Sequence, residues 1–173
     1  YYDGAIYVYS AVTHEFLYKW ETDEAPLACI GGGLVVRDGI GVFGGPCDEV
    51  AAVHSGTAFI VDLATGESLG RLFPPVAQER NAFGFAMAMD GDTLVVGSPH
   101  AYPEGIGYAT VFDVNALSVR FLLMPSEVEP GEQFGIATAI DDEFIIVGTS
   151  RITNTPSINS VYVYNRHTGE QLR

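Results

Sequence analysis

Positive charge is scarce in this sequence. Eight Lys and Arg stand against 22 Asp and Glu in 173 residues, a formal net charge of −14. A surface that acidic repels phosphate backbones, which argues against nucleic acid as a partner. Cysteine is reduced to Cys29 and Cys47, and tryptophan to Trp20. No apolar run approaches the roughly 20 residues that a membrane-spanning helix needs, so no membrane insertion is expected of this segment. Helical periodicity is missing throughout. Compact signatures of chemistry are scarce too: there is no His-x-x-His and no phosphate-cradling loop. Gly31-Gly32-Gly33 sits in a strand pattern rather than ahead of a helix, so it is not read as a nucleotide loop. Paired carboxylates are frequent, but in so acidic a chain they pair by chance. The expectation is a chain without catalytic residues, metal or cofactor.

What is present is a repeat. Hydrophobic residues make up 47 % of the chain, which argues against disorder, and 20 glycines punctuate it. The stretch Phe83-Gly84-Phe85-Ala86-Met87-Ala88-Met89-Asp90-Gly91-Asp92-Thr93-Leu94-Val95-Val96-Gly97-Ser98-Pro99 reads as two strands around a tight turn. It returns as Phe134-Gly135 through Asp141-Asp142-Glu143 to Gly148, at a step of 51 residues. A worn copy runs from Ile30-Gly31 through Arg37-Asp38-Gly39 to Gly44. Repetition at this period is a fold-level signal.

A second hairpin alternates with the first. Its first strands are Gly4 to Tyr9, Gly56 to Asp62, Gly107 to Asp113 and Ser160 to Asn165. Ser10, Asp62, Asp113 and Asn165 head the turns at steps of 52, 51 and 52 residues. Such a side chain caps a turn, and a following Gly takes positive φ. Each repeat is therefore an inner hairpin followed by an outer one. The fold class is all-β, a β-propeller of four-stranded antiparallel blades with about three and a half blades present. The boundaries are 1–26 for the outer strands of a first blade, then 27–80, 81–131 and 132–173. A β-sandwich is the plainer alternative, but it does not require a four-strand unit to recur with matching glycines.

Phe83-Gly84 with Gly97-Ser98-Pro99, and Phe134-Gly135 with Gly148-Thr149, resemble the FG-GAP repeat of integrin alpha-subunit propellers and bacterial surface proteins. The resemblance covers nearly the whole chain and is weaker where Ile30-Gly31 replaces Phe-Gly. A Phe in this position can wedge between blades, while the Gly lets the first strand approach the crowded axis. Integrin blades often carry a calcium loop, Asp-x-Asp-x-Asp-Gly. The connections here, such as Asp90-Gly91-Asp92, are too short to wrap a cation that takes six to eight oxygens, so their acids are read as turn formers and no metal is expected. The outer turns, Asp62 to Glu67 and Asn165 to Glu170, also resemble blades of quinoprotein dehydrogenases, although the Trp usual after the Gly is missing.

The tight turns share one face of such a blade and the long, irregular connections share the other. Recognition generally sits on loops held by a rigid scaffold. His100, Tyr102, Glu104, Arg151 and Ile152 fall on the long-loop face and are the candidate binding residues. His54 falls in the loop equivalent to that of His100, and His14 and His167 fall in outer turns; surface roles are expected for all three. Cys29 falls in the first strand of the first complete inner hairpin and Cys47 at the end of its second, opposite each other about Asp38, which predicts a disulfide and an oxidising compartment. The function expected is a non-catalytic binding or structural module, extracellular, on the cell surface or periplasmic. It would engage a protein or a glycan at the long-loop face. The alternative is part of a propeller enzyme (hydrolase, lyase or quinoprotein-like) with its site on further blades. Propellers close on 4–8 blades, and the sequence starts inside one. These residues are therefore expected to belong to a longer chain, or to pair with more repeats of the same kind. A seven-blade ring would need roughly 350–370 residues at this period.

Overall fold

The computed structural model describes residues 4–23, 28–101, 105–127, 129–151 and 159–173. Every regular element among them is a strand. Strands β1 (Ile6–Tyr9) and β2 (Phe16–Trp20) form a two-stranded sheet. Strands β3 (Leu34–Arg37), β4 (Ile40–Gly45), β5 (Thr57–Asp62) and β6 (Ser68–Leu72) form a four-stranded antiparallel sheet in chain order. So do β7 (Met87–Asp90), β8 (Thr93–Ser98), β9 (Tyr108–Asp113) and β10 (Ser118–Leu123). The last sheet holds β11 (Ala137–Ile140), β12 (Phe144–Gly148) and β13 (Val161–Asn165), and Gln171 adds a single bridge to Tyr164. The first strands β3, β7 and β11 lie side by side. These are propeller blades arranged around the line of their innermost strands.

The blades are stacked by one side chain each. Phe83 is fully buried between the second and third blades, in a cluster with Val42, Ala58, Ile60 and Leu72 on one side and Leu94, Val96 and Phe112 on the other. Phe134 does the same between the third and fourth, among Val95, Ala109, Val111, Leu123, Ile145, Val147 and Tyr164. Ile30 takes the place between the first and second blades, helped by Trp20 against the rings of Phe43 and Phe59 at 5.3 and 5.4 Å. Because neighbours press on both sides, β8 is buried at all six of its residues. Burial also pushes the Tyr164 phenol well above its ordinary pKa.

These wedge residues stand just ahead of the first strand rather than in it. Gly84 has φ of +89°, which ends any ladder, and β7 starts only at Met87. Gly31 likewise has φ of +102°, so Gly31-Gly32-Gly33 leads into β3 instead of belonging to it. The wedge pairs backward: Phe83 and Phe134 form parallel bridges to Gly56 and Gly107 of the preceding blade. The glycine after the wedge also meets that blade, not the axis. A Cβ placed on Gly44 would lie 1.9 Å from the Gly84 carbonyl oxygen, and one on Gly97 would lie 1.9 Å from that of Gly135. Side chains are excluded there because backbone meets backbone. The residue ahead of each wedge, Cys29, Ala82 or Gln133, has φ of 54°, 53° or 51°.

The outer turns are built by their leading polar residue. Asp62 Oδ1 accepts the N–H groups of Ala64 and Thr65 at 2.8 and 3.0 Å, and Asn165 Oδ1 those of His167 and Thr168 at 2.9 and 3.0 Å. Asp113 accepts from Ala116, and Ser10 from Val12 and Thr13. In the inner turn of the fourth blade Asp141 does likewise for Glu143 and Phe144.

By register, position 159 in the fourth blade matches Gly56 and Gly107 in the second and third, since Val161 pairs with Gly148 as Ala58 pairs with Gly44 and Ala109 with Gly97. It is occupied by Asn159, whose Oδ1 accepts the Arg151 N–H at 3.2 Å.

Phe83→Ala is expected to lower stability by about 3–5 kcal/mol, the range for emptying an aromatic site in a core. Phe85→Ala, at a ring 38 % exposed, is expected to cost under about 1 kcal/mol. Urea unfolding compares the two, and equal losses would sink the wedge interpretation. Hydrogen bonds from the turn hold the Asp62 and Asp141 carboxyls below their ordinary pKa, as do Arg120 and the Ala116 N–H for Asp113. Their stabilisation is complete above the unfolded carboxylate pKa of about 4 and is lost as pH falls through the lower folded values. Asp62→Asn keeps the turn acceptor, as Asn165 does naturally, and removes one titrating group. The expected result is a smaller loss of urea midpoint between pH 5 and pH 2 than in the parent chain.

Candidate recognition face

The two loop faces differ in how their charges are used. On the tight-turn face, Asp90 ends β7 and holds three blades together. Its Oδ1 accepts from Arg37 of the second blade at 2.8 Å, and its Oδ2 accepts from Arg166 of the fourth at 2.5 Å. Arg166 is 11 % exposed and also donates to the Asp90 and Asp141 carbonyls at 2.7 and 2.8 Å. Arg120 joins Asp92, Asp113 and the Thr93 hydroxyl beside it, at 2.9, 2.8 and 2.7 Å. The cations of this face are consumed by the fold. The sequence reading took Asp90 for a turn former; it is also an inter-blade clamp.

The long-loop face is assembled from the connections after β4 and β8 and from the segments that lead into the wedges. Asp48, 3 % exposed, anchors the first of these loops: it accepts from Arg71 and from the Val50 N–H, while its carbonyl accepts the Gly56 N–H. The Arg71 guanidinium lies 4.5 Å from the Phe59 ring centroid, so the anchor is packed as well as paired. A short ladder then zips this loop to the next wedge segment. The Arg80 N–H donates to Val53 at 2.8 Å, Ala82 to His54 at 3.2 Å and Phe83 to Ser55 at 3.1 Å; His100 donates to Asn81 at 3.4 Å.

This ladder forms one wall of a cleft of about 450 Å³ between the second and third blades, lined by Pro46, Cys47, His54, Arg80, Ala82, Phe85 and His100. His100 lies 6.2 Å from Phe85, centroid to centroid, and its burial lowers its pKa. His54 Nε2 stands 3.5 Å from Glu49. Six of the eight Lys and Arg residues have a carboxylate within ion-pair distance: Lys19, Arg37, Arg71, Arg120, Arg151 and Arg166. Arg80 has none among the described residues.

Of the residues singled out from sequence, His100 lines this cleft. Arg151 lies between the third and fourth blades instead, paired with Glu129, so these two are not brought to one site. Tyr102, Glu104 and Ile152 lie outside the described residues. Cys29 and Cys47 are joined by a disulfide with a Cα–Cα distance of 5.3 Å. Both stand beyond the ends of β3 and β4, contrary to a placement in the paired strands, because positive φ at Cys29 and Gly31 turns the chain there. Sequence reasoning missed Arg80 and Phe85, and it assigned His54 only a surface role. Their common signal is position: each flanks a Phe-Gly wedge or lies in the connection beside it. Among the described residues, no group of three or more His, Cys, Asp or Glu side chains is arranged to hold a metal ion.

Removing the Asp90 carboxylate takes the nearest carboxylate from both Arg37 and Arg166 and leaves them Asp38 at 3.4 Å and Asp142 at 3.8 Å, so Asp90→Ala is expected to cost about 2–4 kcal/mol, near the range for breaking a largely buried pair. Arg37→Ala, at a side chain 48 % exposed, should cost no more than about 1 kcal/mol. Equal effects in urea titrations would contradict the clamp. Alkylation of the denatured, unreduced chain is expected to leave its mass unchanged; addition of two alkyl groups would disprove the disulfide.

No family model matches the chain, and no curated protein matches its sequence. Among solved structures it is similar to Sqt1 of Saccharomyces cerevisiae, a β-propeller protein, over 99 % of its own length with a TM-score of 0.66 and 16 % sequence identity. The chain spans 42 % of the length of Sqt1. At that identity the likeness speaks to the fold alone, and the fold is that of a β-propeller.

Proposed function

We propose that the chain is a non-catalytic binding module of the FG-GAP type, acting outside the cell or at its surface, which engages a protein or a glycan through its long-loop face. The observation that carries this reading is Arg80, which borders an open cleft on the long-loop face with no carboxylate at ion-pair distance among the described residues, whereas Arg71 and Arg151 on that face and Arg37, Arg120 and Arg166 on the other are each paired with one. Two further features support it. A disulfide is at home in an oxidising compartment. The Phe83-Gly84 and Phe134-Gly135 wedges resemble the FG-GAP repeat of surface propellers. Further repeats, in the same chain or another, are a second class of partner. The apolar side chains Tyr7 and Tyr9 on the first blade and Phe144, Ile146 and Val161 on the fourth are 37–65 % exposed on sheets that have a neighbour on only one side.

Panning of a displayed peptide library and a glycan array against the immobilised chain tests this reading. The expected outcome is saturable binding that a combined Arg80→Ala, His100→Ala and Arg151→Ala variant loses and an Arg37→Ala variant keeps. Binding that survives the first variant and depends on the second would place recognition on the other face. Turnover of a bound ligand would overturn the non-catalytic assignment.

A further inference from the structure

Most of the cleft wall between the second and third blades is apolar, from Pro46, the Cys47 half of the disulfide, Ala82 and the Phe85 ring. Phe85 is 38 % exposed although it follows directly on a fully buried wedge. At the edge stand three nitrogen-bearing side chains, in different electrostatic states. His54 is next to Glu49. The ring of His100 packs near Phe85, and burial favours its neutral form. Arg80 keeps its charge at any ordinary pH and has no carboxylate within ion-pair distance among the described residues.

A guanidinium with no carboxylate at ion-pair distance among the described residues is unusual in a chain with 22 acids. On the opposite face every guanidinium of the inner and outer turns has found one. The backbone that carries Arg80 is also held in place: its N–H is bonded to Val53, and its φ of 62° is a conformation that a non-glycine residue keeps only when its surroundings impose it. The side chain is thus presented from a rigid base beside an apolar wall.

We infer that this cleft binds a peptide segment in which a single carboxylate side chain adjoins an apolar one, the carboxylate paired with Arg80 and the apolar group seated against Phe85, Pro46 and the disulfide. This rests on the long-loop face being the recognition face and names the ligand for it. Arg presents two parallel N–H donors that match a carboxylate. One charge is what the site can take. The chain's net charge of −14 opposes a polyanion at long range, and only one of the three edge groups is a guanidinium. A cleft of about 450 Å³ suits one or two side chains rather than a folded surface.

The test is an amide-shift titration of the isotope-labelled chain with N-acetyl-Phe-Asp-amide, its Phe-Asn counterpart and sodium glucuronate. Saturable shifts at Ala82, Phe85 and His100 are expected from the Phe-Asp probe, with binding about tenfold weaker for Phe-Asn, the loss expected for a charge-assisted bond. Arg80→Gln, at an exposed position, is expected to weaken the Phe-Asp probe by the same factor while leaving the rest of the spectrum in place. Arg80→Lys, which keeps the charge but not the fork, is expected to fall between. Equal affinity for the Asp and Asn probes, or no effect of Arg80→Gln, overturns the proposal. So does tighter binding of glucuronate, which would make the ligand an acidic sugar, or no saturable shift up to about 20 mM probe. Shifts on the other long loops with the cleft silent overturn the cleft and leave the recognition face standing. Shifts confined to the tight-turn face overturn both.

Discussion

The molecule depends on backbone approaching backbone between blades. The carbonyl of Gly84 comes so near Gly44, and that of Gly135 so near Gly97, that no Cβ fits between them. The contact is local, but it sets the distance between whole sheets. Once two blades are that close, Phe83 or Phe134 can reach a core made by both, and the middle strands are buried on both faces. Hydrophobic burial supplies the drive. The absence of side chains at the crossing permits it.

Electrostatics then closes one face and leaves the other open. In a chain so short of cations, each arginine spent inside the fold is unavailable for binding. Asp90 and Arg166 draw the turns of neighbouring blades together, and Arg71 fastens the loop that Asp48 begins. The scaffold is stiffened by the ion pairs of Asp90 from the tight-turn side. A two-residue turn brings its flanking acids within reach of the adjacent blade.

Much of this was legible in the sequence, and for identifiable reasons. The blade follows from a repeated order of apolar runs and turn residues, and the outer turns from Ser10, Asp62, Asp113 and Asn165, each acting within three residues of itself. The wedge role of Phe83 and Phe134 was legible from their recurrence. The partner of the neighbouring glycine was not: recurrence says that room is needed, without saying which backbone needs it. Asp90 was read as a turn former, since nothing local links it to Arg37 or to Arg166, 76 residues away. The cleft was hidden for the same reason. Arg80, Phe85, His54 and His100 belong to two blades and to the segment between them, and meet only after the blades have stacked. Within the long-loop face, sequence reasoning found His100 but grouped it with Arg151, which the structure sets in the next crevice with Glu129.

Asn159 breaks the run of glycines at the seams between blades. At Gly4, Gly56 and Gly107 a Cβ would lie 2.1, 2.2 and 2.1 Å from the carbonyl oxygen of the following wedge, so each of these blades accepts its successor only because the position is bare. The fourth blade presents an amide side chain there, engaged with Arg151. An ordinary unit arriving in the ordinary pose meets an obstacle. Identical repeats that all fit one another can add without limit, into open fibres as readily as into rings. A single non-glycine residue at the seam makes the outward face of the fourth blade unlike those of the three blades before it.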